Sequence, residues 1–333
     1  MVCRRERKAH VARLRRSNPA GPGYRRVSHS ARVTYLDADG HAVRDERVLR
    51  RIRGLVIPPA WRDVWISPDE RGHIQAVGTD QAGRRQYIYH QAWRERQDQA
   101  KFDRAIELAA SLPAARRAVT RDIRLDGFPE RRMLAAAFRI VDLGSLRVGS
   151  EEYLHANGSR GLSTLLCRHA RVRSNETTLT FPAKSGQKWT STIVDDDLAQ
   201  LVGAVTAARG ERARLLSWRD THWHTLRSAH INRYIRERTN GDFTAKDFRT
   251  LRGTVIASLA LAHEDTHATE TGRAKAISRA VRETADALGN TPTVARNSYI
   301  DPRIFDRYRS GQVVDLTNGR SPEAAVRRLL TDE

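Results

Sequence analysis

The pattern of apolar and polar positions changes period near Trp93. Before it, apolar residues alternate with polar ones, the signature of half-buried strands; after it they recur every three to four positions, the signature of helices. "ARVTYLDADGHAV" (31–43) alternates around Asp37-Ala38-Asp39-Gly40 and predicts a hairpin. "DVWISPDERGHIQAVGTD" (63–80) predicts two strands around a glycine turn. "QYIYH" (86–90) places Tyr87 and Tyr89 on one strand face and Ile88 on the other.

Beyond Trp93, "KFDRAIELAASLPAARRAV" (101–119) and "RRMLAAAFRIVDLG" (131–144) predict helices, the second stopping at Gly144 as a C-cap. Four short strands are expected next: "LSTLLC" (162–167), "ARVR" (170–173), "TTLTF" (177–181) and "KWTSTIV" (188–194), with turns at Ser174-Asn175 and Lys184-Ser185-Gly186. The remainder reads as helical. Thr291 as cap and Pro292 at the first helical position begin a late helix, with Tyr299 two turns into it. The expected class is α+β. A basic flexible arm, 1–23, ends in the breaker-rich "SNPAGPG"; a small β-rich lobe, 24–97, precedes a larger, mainly helical lobe with a small sheet, 98–333.

Charge changes the picture. The formal net charge is +20, and a surplus of that size disfavours compaction unless a polyanion is at hand, so nucleic acid is the expected partner. No run of about 18 apolar residues is present, and no long basic amphipathic helix argues for a membrane surface. The start is basic without an apolar stretch, which reads as an arm rather than a secretory signal. Cys3 and Cys167 are too few for a disulfide framework or a zinc site, and fit a reducing compartment.

The basic residues are themselves unequal. Six lysines stand against 53 arginines, yet Lys184 and Lys188 fall within five positions, in "FPAKSGQKW" (181–189). An exposed hairpin lysine is one reading of Lys184. The other is chemical: an ammonium among cations gives up a proton near neutral pH, and a guanidinium does not. Arg147 sits at an element boundary in "LRVGSEEY" (146–153), and Arg249 opens an apolar helical run in "KDFRTLRGT" (246–254). Tyr299, taken alone, reads as a core residue.

Together "LVIPPAW", "QYIYH", "LRVGSEEY", "FPAKSGQKW", "KDFRTLRGT" and "LGNTPTVARNSYIDPR" resemble, in order and spacing, the type IB DNA topoisomerases of the small bacterial and poxvirus kind, from about Arg53 to about Arg309. The resemblance implies a C-shaped clamp whose β-rich lobe closes over duplex DNA opposite the catalytic lobe. It implies Tyr299 as nucleophile toward a phosphodiester, Arg147 and Arg249 on the non-bridging oxygens, and Lys184 as acid to the leaving 5′-oxygen. Lys246 is similar to a lysine of the proton relay. Asn290 stands nine residues before Tyr299, where many relatives carry a charged histidine. Arg84, Arg85, Tyr87, Tyr89, Tyr153 and Lys188 are implied DNA contacts, although Tyr87 and Tyr89 also read as an aromatic pair packed on the sheet. The implied enzyme works on DNA as a monomer, without metal, ATP or a small-molecule cofactor, in a bacterial cytoplasm or nucleoid.

Competing patterns are present. "HEDTH" (263–267), with Glu283 downstream, matches a zinc-binding HExxH, but the apolar run ends just before it and a polar, glycine-broken stretch follows. His222, His224 and His230 lack a fourth metal partner. A tyrosine recombinase would usually carry histidine three residues before the second arginine, where this chain has Lys246. A purely architectural DNA binder would leave Tyr299 and Lys184 without a role.

Overall fold

A computed structural model describes residues 13–29, 32–183, 188–264, 269–317, 319 and 321–331. Contacts divide the chain into two units, Met1–Ala100 and Lys101–Glu333.

The first unit is built on one antiparallel sheet. Its elements are β1 (Tyr24–His29), β2 (Arg32–Leu36), α1 (Glu46–Gly54), β3 (Arg62–Ile66), β4 (Ile74–Thr79) and β5 (Arg85–Tyr89), with strand order β2-β1-β3-β4-β5. Asp45 caps α1 by accepting from the amides of Arg47 and Val48. Ile52 of that helix packs on Val64, Ile66 and Ala76, and Ile88 joins them from β5. Alternation therefore turns Tyr87 and Tyr89 to the other face, where they are exposed and stack on each other at 5.9 Å.

The described part of the expected arm is fastened to this sheet. The Arg15 amide donates to Arg71 O at 2.8 Å, and Ser17 Oγ donates to Ile74 O at 2.9 Å. Trp65 Nε1 donates to Gly21 O at 3.1 Å. Any side chain at Gly23 would collide with that indole. Residues 1–12 lie outside the described residues.

The division between the units falls inside α2 (Gln91–Ile123), which carries Pro113. The second unit continues with α3 (Glu130–Gly144), α4 (Glu151–Asn157), β6 (Ala170–Arg173), β7 (Glu176–Pro182), β8 (Lys188–Val194) and α5 (Asp196–Ala208). It closes with β9 (Ser217–Arg219), β10 (Trp223–Thr225), α6 (Ser228–Thr239), α7 (Ala245–Ala262), α8 (Glu270–Leu288), α9 (Pro292–Ser298), α10 (Arg303–Arg309) and α11 (Pro322–Thr331). None of the described helices is long and apolar enough to cross a membrane.

One large core joins these helices. Phe138 of α3 packs edge-on against Phe248 of α7, 5.2 Å between centroids, and against Tyr234 of α6. Buried Asp122 accepts from Tyr234 Oη at 2.6 Å and pairs with Arg131 and Arg238 at 2.8 and 2.9 Å, so its charge is not left bare.

Three expectations are corrected here. "LSTLLC" is not a strand but runs through 3-10 turns at Leu162–Thr164 and Cys167–His169, because every residue from Leu162 to Cys167 is buried and no alternation exists to face a sheet. The stretch after β8 is not wholly helical: β9 and β10 form a hairpin whose turn is fixed by the His222 amide donating to Asp220 Oδ1 at 2.8 Å. The residue of left-handed backbone ending α3 is Ser145, at φ 54°, not Gly144. Gly144 is required for another reason, since a Cβ there would meet Ile193 Cδ1 at 2.8 Å.

Candidate active site

Arg249 is the centre of the site. It lies in the second turn of α7 and is only 3% exposed, with no carboxylate partner among the described residues. Its Nη1 donates to Ser145 O at the C-terminus of α3, and its Nη2 donates to Leu288 O at the C-terminus of α8, the latter at 2.8 Å. Both acceptors belong to helix ends, where unpaired carbonyls and the macrodipole concentrate partial negative charge. Burial, with Arg147 nearby, pulls the guanidinium pKa down to about 10, so it remains a cation at neutral pH.

Arg147 arrives on an extended segment directly after α3. That segment is clamped by backbone: the Leu162 amide donates to Arg147 O at 2.9 Å and the Ser163 amide to Val148 O at 2.8 Å. The two chains pass so closely that a Cβ on Gly161 would meet Gly149 N at 2.6 Å, which explains both glycines. Arg147 Nη2 donates to Asn290 Oδ1 at 2.5 Å.

Tyr299 is the C-cap residue of α9 rather than a residue within it, and Thr291 caps the start as its spacing suggests. The Arg249 guanidinium lies 5.0 Å from the centroid of the Tyr299 ring. Burial pushes the phenol pKa up, but the charges of Arg249 and Arg147 outweigh it, and the net shift is downward from the ordinary value. Two buried donors in this cluster have no acceptor among the described residues: Arg249 Nε and Asn290 Nδ2.

Tyr299, Arg147, Arg249 and Asn290 are thus brought together. Lys184 lies outside the described residues, although β7 and β8 on either side of it pair in register, Pro182 opposite Lys188. Lys246 is exposed in the first turn of α7, one turn before Arg249. Tyr153, exposed on α4, lines a cavity of about 430 Å³ together with Arg147 and Arg249. Lys188, exposed at the start of β8, lines a second cavity of about 340 Å³ with Arg147. Tyr87, Tyr89, Arg84 and Arg85 belong to the first unit; Arg85 sits 5.8 Å from the Tyr87 ring, and Arg84 pairs with Asp80 at 2.8 Å.

Residues the sequence reading passed over complete the site. A Cβ on Gly253 would meet Tyr299 O at 2.6 Å and Tyr299 Cβ at 2.9 Å, so this glycine lets α7 carry the tyrosine backbone at contact distance. A glycine inside an apolar helix, about 1 kcal/mol poorer than alanine there, was the available signal. Trp189 and Gly289 are a second such pair. Among possible metal ligands in the described residues, one group stands within reach of a common ion: Asp37, Asp39 and His41, in the first unit. His263 caps α7, Glu264 pairs with Arg279 at 2.5 Å, and residues 265–268 lie outside the described residues. His224 Nε2 pairs with Asp220 at 3.0 Å.

Comparison with known proteins bears on the family of the chain. Residues 90–312 match the model of the eukaryotic DNA topoisomerase I catalytic core. Residues 32–80 match that of the bacterial DNA topoisomerase IB N-terminal domain. The chain is 30% identical over 311 residues to DNA topoisomerase 1B of Acanthamoeba polyphaga mimivirus, an alignment spanning 88% of this chain and 93% of the relative. With most of its length covered by these matches, the chain belongs to the type IB DNA topoisomerases, isomerases that act on DNA.

Proposed function

We propose that this enzyme relaxes supercoiled duplex DNA by transient cleavage of one strand through a 3′-phosphotyrosyl intermediate, acting as a monomer without ATP or metal. Tyr299 gives its proton to solvent and attacks the scissile phosphorus as the phenolate, held by Arg147 and Arg249; the bond to the 5′-oxygen breaks, and that oxygen takes a proton from Lys184, with Lys246 assisting in the relay. Arg147, Arg249 and the Asn290 amide hold the non-bridging oxygens. The free strand end swivels, and the 5′-hydroxyl then attacks phosphorus to expel Tyr299. The covalent ester conserves the bond, so resealing needs no nucleotide. Relaxation follows stored torque of either sign.

The observation that carries this reading is the pair of buried donors without acceptors, Arg249 Nε and Asn290 Nδ2, beside a tyrosine flanked by two guanidinium groups. Buried donors are rarely left unpaired. An anion with several oxygens would satisfy both, and no carboxylate contacts either arginine among the described residues to take that place. Phosphoryl transfer needs mainly positioning and stabilisation of charge on those oxygens. Tyr87, Tyr89, Arg84, Arg85, Tyr153 and Lys188 contribute duplex contacts in this reading, through exposed rings and cations.

The test is relaxation of plasmid in EDTA without ATP by the wild type and by Tyr299→Phe. The proposal requires activity in the first and none in the second, and relaxation by Tyr299→Phe refutes it. Lys184→Arg keeps charge but not the labile proton. It is expected to abolish cleavage unless the leaving 5′-oxygen is replaced by sulfur, and normal cleavage by Lys184→Arg removes the lysine from the mechanism.

A further inference from the structure

Arg249 is held by the ends of two helices, α3 through Ser145 O and α8 through Leu288 O, so something must fix the separation of those ends. Strand β8 touches both. At one end of it, Ile193 packs against Gly144 so closely that a Cβ there would meet Cδ1 at 2.8 Å, and Ser191 Oγ donates to Gly144 O at 3.3 Å. Towards its other end, Trp189 lies against Gly289. A Cβ on Gly289 would fall within the indole, 2.5 Å from Cε3. Gly289 is also at φ +56°, the left-handed region that glycine enters without strain.

The turn against Trp189 is the one that serves the arginines. Three consecutive residues each make one contact: Leu288 O accepts from Arg249, Gly289 faces the indole, and Asn290 Oδ1 accepts from Arg147. Trp189 also forms a wall of both cavities that Arg147 lines, and its buried Nε1 has no acceptor among the described residues. A buried indole N–H usually finds a partner. Among the described residues, then, the ring is held at this place by its shape against Gly289.

We propose that Trp189 is a positioning residue for phosphate transfer: its indole fixes turn 288–290, and through that turn the placement of Arg147 and Arg249. The inference rests on the reading of those arginines as the phosphate clamp. It assigns Trp189 no contact with DNA and no part in protonating the leaving group.

The full chain is tested in single-turnover cleavage as Trp189→Ala and Trp189→Phe, with Arg147→Ala as reference. Three duplexes are used: unmodified, with a methyl group replacing one non-bridging oxygen at the scissile phosphate, and with sulfur as the leaving atom. Trp189→Ala should slow cleavage of the unmodified duplex by about 10²-fold, the scale of a 1 Å misplacement. Trp189→Phe, which keeps an aromatic ring and safeguards folding, should fall between. The defect should shrink at least about tenfold on the uncharged phosphate, where the clamp has less charge to meet, and persist on the sulfur duplex. Full rate in Trp189→Ala, persistence on the uncharged phosphate, or rescue by sulfur overturns the inference. If Arg147→Ala is not relieved by the uncharged phosphate, the clamp reading itself fails; if it is relieved and Trp189→Ala is not, only the role of Trp189 falls. Gly289→Ala should also lose rate, and adding Trp189→Ala should recover part of the loss, because the collision is gone. Simple multiplication of the two losses overturns the proposed contact.

Discussion

Replacing Gly253 with alanine should separate stability from catalysis. The new Cβ would stand 2.6 Å from Tyr299 O, 2.9 Å from Tyr299 Cβ and 3.1 Å from Leu288 Cδ1. Backbone cannot rotate away as a side-chain tip can, so restoring an ordinary contact of 3.4 Å requires Tyr299 to retreat by roughly 0.8 Å. Overpacking of this kind costs about 1–3 kcal/mol. Alanine in a helix interior returns about 1 kcal/mol of that. The net loss of stability should therefore be at most about 2 kcal/mol, and the enzyme should remain folded. Under the proposed mechanism cleavage, by contrast, depends on in-line placement of the phenol, where a shift near 1 Å costs about 10²-fold. The assay pairs a thermal melt with single-turnover cleavage of a duplex whose downstream fragment escapes after the cut. A folded Gly253→Ala that cleaves at the wild-type rate would refute the claim that this glycine sets the tyrosine.

Other perturbations follow from the same geometry. Arg249→Lys keeps a charge but cannot bond both Ser145 O and Leu288 O while facing the phenol, and single-turnover cleavage should fall by about 10²–10³-fold. Arg147→Ala removes one of the two charges that hold the Tyr299 phenol below its ordinary pKa against the upward push of burial; if the phenolate attacks, the rising limb of the cleavage–pH profile should move to higher pH, and an unmoved rising limb would show that Arg147 does not act on the phenol. Glu323 of α11 bonds Arg116 at 2.7 Å, and although burial raises its pKa, Arg116 brings the net shift below the ordinary value. Its stabilising effect is present above the unfolded-state pKa and lost as pH falls through the folded one; Glu323→Gln should cost about 1–2 kcal/mol by denaturant melt at pH 7, discounted for partial exposure, and almost nothing in strong acid.

Much of the fold could be read from period alone, because one-sided burial writes itself into alternation. Strand β5 shows this: Ile88 packs on α1 while Tyr87 and Tyr89 face outward, as their spacing indicates. The same logic failed at Leu162–Cys167, where burial on all sides erases any period. Short β9 and β10 were missed because three-residue strands hold too little pattern. The clustering of Arg147, Arg249, Asn290 and Tyr299 was legible only through ordered motifs, since nothing local brings residues so distant in sequence together. What remained hidden was the support: Gly253 and Gly289 matter for what touches them, and a glycine in sequence does not name its neighbour.

The way Arg249 is held bears on why the site uses arginine at its centre. A buried cation ordinarily demands a carboxylate, but such a partner would cancel the charge that a phosphate is to feel. Here the partners are carbonyls at two helix ends, each offering a fraction of a negative charge and no proton-accepting group. The guanidinium is satisfied on two nitrogens, while its Nε has no partner among the described residues. A lysine would meet this environment badly, because desolvation among cations drives an ammonium toward the neutral form, whereas Arg249, even with its pKa drawn down to about 10, keeps its proton. The clamp must stay charged through the reaction, while the acid must change its charge within it. In the proposed mechanism that division of labour places arginine in the buried position between helix ends and assigns the proton to lysine.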